Sequence, residues 1–459
     1  MRLLAACVAL AALSLVLGGA PTYDPWAWIL WGREVAALDL NTVGGPSWKP
    51  LPVLFTTAFA PLAGVHESLP PALWLVVARA GALLMVVTAF RVARRLAGPS
   101  PATATAAGLL AAVAVVLTPH WLRNAAHGNE VPLAMGLLLW GVDRHMDGQR
   151  APALVLAFLS CLLRPEVFPF LVAYGAWLWR AEPGARRLTA GLAVTLPLLW
   201  LVPEWIGSGD PLSASSQARG EPPWSLSLTE RPWLAALERA HQLAGLPVEL
   251  GAGAAAGLAW RRRSAADRVT LALAGIAFSW LAVVVAMVEA GFTGSPRYFL
   301  PAVVILGLLA AVGAARLVDS APGPALTSAM AAVALVAVVG PWALGRAESF
   351  ERQAKGVEHL SDHHGDLLAT VDRLGGGDAV TASGAPRVSP AFLTHMAWAT
   401  GLHIDDVQRS RGRGYEFIAA VATTKRRRPS PDQLRGARPM VGVWRVRPPE
   451  AIVKPPATR

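Results

Sequence analysis

Long apolar runs separated by short, arginine-rich or proline-rich loops fill the first three quarters of the chain. Several runs reach the roughly 17–25 residues that a helix needs to cross the hydrocarbon core of a bilayer. We therefore predict a multi-pass α-helical membrane protein with about 11 transmembrane helices. The predicted spans are 3–20, 71–90, 102–117, 131–144, two short spans within 151–179, 188–202, a span ending near 259, 269–288, 298–315 and 325–344.

The region 151–179 can form one long span or two short ones. One long span would place Arg180, Arg186 and Arg187 outside, whereas two spans broken at Pro165 keep these arginines inside. Proline interrupts a helix and disfavours helical geometry in the residue before it. Because arginines prefer cytoplasmic loops, the two-span hairpin is favoured.

The first apolar run follows a single basic residue, Arg2, and ends in small residues, as a cleaved leader would. A cleaved leader usually precedes a soluble domain, but here ten further apolar spans follow. An uncleaved first helix with a cytoplasmic N-terminus is therefore the favoured interpretation. Eleven spans then leave the C-terminus extracytoplasmic. A composition rich in Ala, Arg, Gly and Pro is typical of a GC-rich bacterial genome and places the protein in the plasma membrane.

The composition changes after residue 345, where charged residues become frequent and apolar patches become short. A glycine triplet at 375–377 indicates a turn, and no Lys-Ser/Thr pair follows it as in a phosphate-binding loop. We predict a small extracytoplasmic C-terminal α/β domain over 346–459. The transmembrane domain covers 1–345, and its first outer loop, 21–70, carries the candidate active site.

Composition excludes several classes of protein. The chain is 54% hydrophobic and 15% charged, too little charge to cover a soluble protein of 459 residues. The net charge of +11 is explained by arginines in cytoplasmic loops and in the tail, so no nucleic-acid partner is expected. Cys7 and Cys161 lie in apolar runs and form neither a disulfide framework nor a metal motif. No cofactor is indicated, and a divalent metal is possible but not indicated, because His363 and His364 lack a second ligand cluster.

Charged residues beside membrane spans are costly and are therefore usually functional or paired. In the predicted topology they converge on the outer face. Asp24 and Lys49 stand out, since neither has an adjacent opposite charge and both lie in apolar, proline-rich surroundings. Residues that could join them in binding substrate are Arg33, Glu34, His127, Glu130, Arg164, Glu166, Asp210, Arg297 and Tyr298.

Some of these residues are also compatible with purely structural roles. Trp26, Trp28 and Trp31 do not line one helical face and are best interpreted as an interfacial aromatic belt. Arg33 and Glu34 could be surface charges of an amphipathic helix that lies along the membrane. Arg79, about two turns inside the second span, needs a counter-ion or a water-filled cavity and is more often structural than catalytic.

The order of these motifs resembles the GT-C superfamily of integral-membrane glycosyltransferases, above all the protein O-mannosyltransferase group and the aminoarabinose transferases. Those families share an acidic residue in the first outer loop, a helix along the membrane and a Lys-Pro-Pro-Leu-like element. The corresponding positions here are Asp24, the helix that contains Arg33 and Glu34, and Lys49 with the Pro-Leu-Pro that follows it. Further matches are Arg79, the polar turn 123–132, the turn around Asp210, and Arg297-Tyr298.

This resemblance implies an inverting transfer of a sugar from a polyprenyl-phosphate donor to a glycan, lipid or protein acceptor at the outer face of the bilayer. Asp24 would be the general base, and Lys49, Arg79 and Arg297 would bind the donor phosphate. A departure from the family pattern, Pro25 directly after Asp24, leaves the subfamily and the sugar open.

Two other functions stay open. A transporter or flippase of lipid-linked saccharides would need polar groups along a path through the bilayer and often has repeated halves. The sequence shows no internal repeat, and its charges gather on one face. A non-catalytic envelope scaffold, whose outer tail binds a cell-wall partner, is the third possibility.

Overall fold

The structure is a computed structural model, which describes residues 2–219, 222–320, 325–407, 414–420 and 428–449. The described residues are mostly helical, which confirms the predicted helical class. The helices are α1 Arg2–Leu13, α2 Tyr23–Ala36, α3 Pro50–Phe59, α4 Leu69–Ala97, α5 Pro101–Val116, α6 Trp121–Ala126, α7 Val131–Met146, α8 Arg150–Cys161, α9 Phe168–Ala181, α10 Arg186–Ser208, α11 Ser213–Ala218, α12 Pro232–Ala244, α13 Leu246–Arg262, α14 Ala265–Glu289, α15 Pro296–Asp319, α16 Ala325–Arg373, α17 Gly376–Thr381 and α18 Leu393–Thr400. Short 3-10 turns occupy Ser14–Leu17, Ala60–Gly64, Pro165–Val167, Pro183–Ala185, Leu226–Leu228 and Pro390–Phe392.

Within the described residues, four helical segments are long and apolar enough to cross a membrane: α4, Pro183–Ser208, α14 and α15. The pair α12 and α13, bent by 89° at their junction, makes a fifth candidate. Several other apolar helices, such as α5 and α8, are shorter. A helix of about 16 residues is about 24 Å long and falls short of the roughly 30 Å hydrocarbon core. The count of eleven spans therefore stays a prediction.

Helices α4 and α15 form the centre of the bundle, and both are largely buried. Small residues allow close helix crossings around them. A Cβ added at Gly136 of α7 would lie 2.7 Å from the carbonyl oxygen of Gly81 in α4. A Cβ at Gly313 of α15 would overlap the carbonyl oxygen of Gly251 in α13. Close backbone approach of this kind is a common way to pack helices in membranes.

The polar connections agree in part with the predicted pattern. The chain breaks between α8 and α9 at a 3-10 turn that begins at Pro165, which confirms the predicted interruption. The prediction of one long loop from residue 203 to 242 is wrong. Helix α10 continues through Pro203 to Ser208, and 232–244 forms α12, whose Pro232 stands in the first helical turn, a favoured proline position.

The tail does not begin as a separate element at residue 346. Helix α16 runs without a break from Ala325 to Arg373, through the predicted boundary. Ion pairs such as Glu351 with Lys355, one turn apart at 2.9 Å, suit a helix that continues into water. Beyond it lie α17, α18 and a small antiparallel sheet of order β1-β3-β2, with strands Glu416–Ala419, Arg438–Pro439 and Trp444–Arg447.

The tail packs directly on α2. One hydrophobic core joins Trp28 and Ile29 of α2 to Met396 of α18 and Trp444 of β3. The Thr394 hydroxyl also donates a hydrogen bond of 2.9 Å to the Tyr23 carbonyl. The first outer loop and the tail therefore share one core, although 371 residues separate these two hydrogen-bonded positions.

The interpretation of the α2 tryptophans as an interfacial belt is wrong. Trp28 and Trp31 are fully buried, and Trp26 is 4% exposed. Trp28 meets Trp74 edge to face at 5.6 Å between ring centroids, and Trp31 packs on Trp48 at the same distance. Positions i, i+2 and i+5 point in different directions around a helix, and all three indoles are covered by other parts of the protein. These indoles anchor α2 between α4 and the tail.

Candidate active site

The first turn of α2 presents Asp24 at the edge of a cleft. Its carboxylate pairs with the guanidinium of Arg297, which lies in the first turn of α15. The Asp24 side chain is 16% exposed and that of Arg297 36%, so the pair is accessible to a ligand. Backbone N–H groups are free in the first turn of a helix and stabilise a carboxylate there. The structure thus brings together the predicted base and one predicted phosphate ligand.

A second set of charges is fully buried. The Lys49 ammonium pairs with Glu130, and Arg164 Nη1 donates to the same Glu130 oxygen at 3.0 Å. Arg164 Nη2 donates to Glu166 at 2.7 Å. Lys49 precedes α3, Glu130 precedes α7, and Arg164 precedes the 3-10 turn. Three connections distant in sequence therefore meet in one network, which we call the buried quartet: Lys49, Glu130, Arg164 and Glu166.

Tyr298 connects the Asp24 pair with the buried quartet. The guanidinium carbon of Arg297 lies 5.8 Å from the centroid of the Tyr298 ring, and that of Arg164 lies 5.5 Å from it. Both contacts are within cation–π range. The Lys49 ammonium nitrogen similarly lies 5.3 Å from the centroid of the Trp28 ring. Aromatic faces thus hold three cations close together, two of them buried and the third, Arg297, at the cleft.

The charge state of Glu130 follows from this network. Burial raises the pKa of Glu130, but the charges of Lys49, Arg164 and Arg297 outweigh it and hold the pKa at about 2. Glu130 is therefore ionised at neutral pH. One of its oxygens, Oε2, has no hydrogen-bond partner among the described residues. The buried quartet is a fixed set of charges with unused acceptor capacity.

The cleft beside Asp24 has a volume of about 1070 Å³. Seven parts of the chain line it: the start of α2, the 44–47 turn, α6 with the residues beside it, the segment with residues 217–218 and 222–224, the start of α15, the 349–364 part of α16, and residues 391–392. Asp24, Arg297 and Tyr298 line it, whereas the buried quartet lies outside its lining. Its size is at the upper end of that expected for small-molecule sites.

Two predicted site residues lie in structural contacts instead. The Arg79 guanidinium donates to the carbonyl oxygens of Ser14 at 2.7 Å and Ala126 at 3.3 Å, and also to that of Gly18. It therefore holds the end of the first helical segment against α6. His127 Nδ1 lies 2.9 Å from the Ala20 carbonyl oxygen. Burial, which disfavours the charged imidazole, lowers the pKa of His127 to about 4, so this ring is neutral.

Arg33 and Glu34 fasten the tail to α2. Arg33 donates to the Leu402 carbonyl at 3.2 Å, and the buried Glu34 carboxylate contacts His403 Nδ1 at 2.8 Å. The alternative of surface charges on a membrane-lying helix is wrong for Glu34.

The predicted substrate-binding residue Asp210 lies in an exposed turn, where its carboxylate accepts a hydrogen bond of 2.9 Å from the Leu212 amide. It is not part of the cleft lining.

Sequence reasoning missed the contribution of the tail. His364 of α16 and His395 of α18 are buried, with their Nδ1 atoms 2.8 Å apart, and the His395 ring stacks on Trp26 at 4.4 Å. His364 also lines the cleft, and through His395 it is linked to Trp26, two positions along α2 from Asp24. The one sequence signal for this contribution was the adjacent pair His363 and His364, which was considered only as a possible metal site. The described residues contain no group of three or more metal-ligating side chains.

Comparison with known proteins gives a fold likeness. No family model matches the sequence, and no curated protein matches it. Among solved structures, ArnT from Cupriavidus metallidurans in the apo state aligns with a TM-score of 0.55 at 14% identity, covering 99% of this chain and 98% of that one. ArnT bound to undecaprenyl phosphate aligns with a TM-score of 0.51 at 14% identity, covering 89% of this chain and 85% of that one. An Archaeoglobus fulgidus oligosaccharyltransferase in complex with zinc and sulfate aligns with a TM-score of 0.48 at 12% identity, covering 86% of this chain and 61% of that one.

ArnT is an aminoarabinose transferase and a GT-C glycosyltransferase. At 14% identity the likeness concerns the fold, and a fold by itself does not assign a reaction. It nevertheless extends over almost the whole chain, tail included. The predicted resemblance is thereby confirmed at the level of architecture: this chain has the fold of the GT-C glycosyltransferase ArnT.

Proposed function

We propose that the protein is a glycosyltransferase that moves a sugar from a polyprenyl-phosphate donor to a cell-envelope acceptor on the outer face of the plasma membrane. The observation that carries this proposal is the Asp24–Arg297 pair at the edge of the cleft. A carboxylate that can act as base and a guanidinium that can bind phosphate lie side by side there, as a displacement at the anomeric carbon requires. ArnT, which has the same fold, has been solved with undecaprenyl phosphate.

The proposed reaction is a single inverting step. The acceptor hydroxyl oxygen attacks the anomeric carbon while the Asp24 carboxylate takes its proton. The bond from that carbon to the phosphate oxygen breaks, and its electron pair stays on the lipid phosphate. Arg297, with Lys49 behind it, stabilises the charge that develops there.

The charge balance explains how the donor prepares the base. Without donor, the cations Lys49, Arg164 and Arg297 balance the carboxylates Asp24, Glu130 and Glu166. A donor phosphate adds negative charge, so it must compete with a carboxylate for a cation. Arg297 is the most exposed of the three cations. We infer that the phosphate draws Arg297 away from Asp24 and leaves that carboxylate free to accept a proton.

The membrane arrangement proposed with this function is that of the sequence analysis. About 11 spans place the N-terminus in the cytoplasm and the tail, as an extracytoplasmic α/β domain over 346–459, outside. What supports this is the contact of the tail with α2, because both must then lie on one side of the membrane. Arg79 as a direct phosphate ligand remains a prediction, and its three backbone acceptors favour a positioning role.

The test uses full-length protein in lipid nanodiscs with a radiolabelled polyprenyl-phosphate sugar and a cell-envelope extract as acceptor source. Transfer predicts release of free polyprenyl phosphate together with a labelled envelope product. Asp24→Asn should remove both, while Asp147→Asn, a carboxylate remote in sequence and outside the cleft lining, should remove neither.

The same experiment separates the alternatives. A transporter or flippase would move the intact donor across vesicles without releasing free polyprenyl phosphate. A scaffold would leave the donor unchanged and stationary. Unchanged product formation by Asp24→Asn would overturn the assignment of the base.

A further inference from the structure

Guanidinium groups outnumber carboxylates in the lining of the cleft, whereas burial lowers the pKa of its imidazoles at His120, His363 and His364. Within the described residues a single carboxylate, Asp24, lines it, and that carboxylate is already paired with Arg297. The other titratable side chains of the lining can carry only positive charge, apart from the tyrosines. They are Arg123, Arg352, His120, His359, His363 and His364.

Arg123 is the least expected of these cations. It lies in α6 and is partly buried, yet its guanidinium makes no hydrogen bond or ion pair with the described residues. Burial lowers the pKa of Arg123, and no carboxylate offsets this. The Arg123 guanidinium borders the open cleft and not a closed core, so it is accessible to a ligand there. An anionic ligand in the cleft would supply the missing partner.

Arg352 lies in α16, which also lines the cleft. Its nearest carboxylate is Glu348, at 3.9 Å, and both side chains are at least 70% exposed, so this pair holds Arg352 weakly. His359 and His363 follow at i+7 and i+11, which places all three on the same face of α16. The tail helix therefore turns a basic face toward the cleft.

Packing brings the two arginines to the same region. The rings of Trp121 in α6 and Phe350 in α16 stack with centroids 6.4 Å apart and planes 20° apart. Arg123 and Arg352 each lie two positions beyond one of these rings. The ring contact shows that α6 and α16 are neighbours, and Arg123 and Arg352 both line the cleft that these helices border.

We propose that Arg123 and Arg352 form a second anion-binding subsite, which holds a phosphate or carboxylate group of the acceptor while Arg297, with Lys49 behind it, holds the donor phosphate. This rests on the proposed function, because it divides the cleft between two substrates. The acceptor is then an anionic glycan or lipid, and the tail takes part in selecting it.

The experiment measures binding alone, so it does not depend on turnover. Full-length protein in nanodiscs of neutral lipid is saturated with polyprenyl phosphate and titrated with glucose 6-phosphate, with methyl glucoside as the neutral probe. We expect saturable binding of the sugar phosphate and none of the neutral sugar. The double variant Arg123→Gln/Arg352→Gln should weaken sugar-phosphate binding at least about tenfold, as expected when charge-assisted hydrogen bonds are lost.

Three control measurements separate the subsite from general charge effects and from misfolding. Arg180→Gln removes an exposed arginine outside the cleft lining and should change nothing. Arg123→Gln/Arg352→Gln should keep polyprenyl-phosphate binding, which shows that it is folded. Lys49→Ala and Arg297→Ala should show the reverse pattern, with polyprenyl-phosphate binding weakened and sugar-phosphate binding retained.

Several results would overturn the subsite. These are displacement of glucose 6-phosphate by polyprenyl phosphate, equal binding of the neutral sugar, no effect of the double variant, or no saturable binding at all. Failure of the transferase assay together with two independent anion sites would instead overturn the proposed function and leave the subsite standing.

Discussion

Two charge clusters, each built around a buried carboxylate, differ in their surroundings. In one, Asp143 of α7 is surrounded by Arg91 and Arg95 of α4 and by its neighbour Arg144, with N–O distances of 2.8 to 2.9 Å. In the other, the buried quartet lies behind the Asp24–Arg297 pair. Both contain a carboxylate with 0% side-chain exposure, Asp143 and Glu130.

The clusters differ in origin and surroundings. The Asp143 cluster comes from two helices that pack side by side, carries excess positive charge and lies outside the cleft lining. The buried quartet and the Asp24 pair come from separate parts of the chain, balance their charges and border a cleft. A buried carboxylate alone therefore does not mark a site. What distinguishes the candidate site is that its charges converge from distant segments next to a ligand-sized space.

The largest expected effect tests this contrast through the two carboxylates. Asp24→Asn should lower the transfer rate about 10²–10⁴-fold, because the acceptor hydroxyl loses its base. Asp143→Asn should lower stability and leave the rate per folded molecule close to normal. Initial rates, normalised to folded protein by size-exclusion chromatography, measure both. Equal rate losses in the two variants would erase the proposed distinction.

Glu130→Gln should have the next largest effect, on stability. Removal of one member of a buried ion pair leaves uncompensated charge and costs about 3 kcal/mol or more, here because Lys49 and Arg164 lose their shared partner. Thermal unfolding in nanodiscs would show it as a marked fall in Tm. The matched control, Asp147→Asn, removes a partly exposed carboxylate and should cost less than about 1 kcal/mol. A Glu130→Gln protein as stable as that control would contradict the charge-balance argument.

Lys49→Ala should act mainly on the donor, with a smaller loss of stability, since Arg164 still neutralises Glu130. Polyprenyl-phosphate affinity should fall by about tenfold, because a positive charge behind Arg297 is removed, and turnover should fall with it. Direct binding measurements with polyprenyl phosphate check this. Unchanged affinity and rate would remove Lys49 from the site and leave it a purely structural cation.

The smallest effect concerns the contact between α2 and the tail. Burial lowers the pKa of His403, but the hydrogen bond and charge of Glu34 outweigh this and raise the pKa above its usual value. A raised histidine pKa stabilises the contact fully below the unfolded pKa of about 6.5, and the gain is lost as pH rises through the folded value. The change should stay under about 1 kcal/mol.

Hydrogen exchange in 393–403 should therefore become faster as the pH rises through that window, after correction for intrinsic exchange. His403→Asn should abolish the dependence, and His66→Asn, which changes an exposed histidine, should keep it. A persistent dependence in His403→Asn would assign the effect to another group.

Periodicity and helix-breaking residues predicted much of the helical pattern. Apolar runs located the centres of α4, α14 and α15, and Pro165 located the break between α8 and α9, because proline acts locally. Sequence also grouped Asp24, Lys49 and Arg297 on one side. These properties depend on short windows of sequence or on loop order.

The ion pairs between distant residues could not be predicted in the same way. Nothing local indicates that Lys49 selects Glu130 or that Asp24 selects Arg297, since these depend on how distant loops meet. The tail was set aside because its composition differs, yet the continuous α16 carries it back onto α2. The α2 tryptophans were misjudged for the same reason, because an indole at a membrane interface and one in a core look alike in sequence.

The contact between α2 and the tail also constrains biogenesis. Thr394 meets Tyr23, and His403 meets Glu34, across separations of 371 and 369 residues. During synthesis, α2 with its tryptophans leaves the ribosome long before its covering partner exists. The cleft wall from α16 is likewise absent until that stage. A chain stalled before the tail is made would therefore present an uncovered aromatic surface and an incomplete cleft.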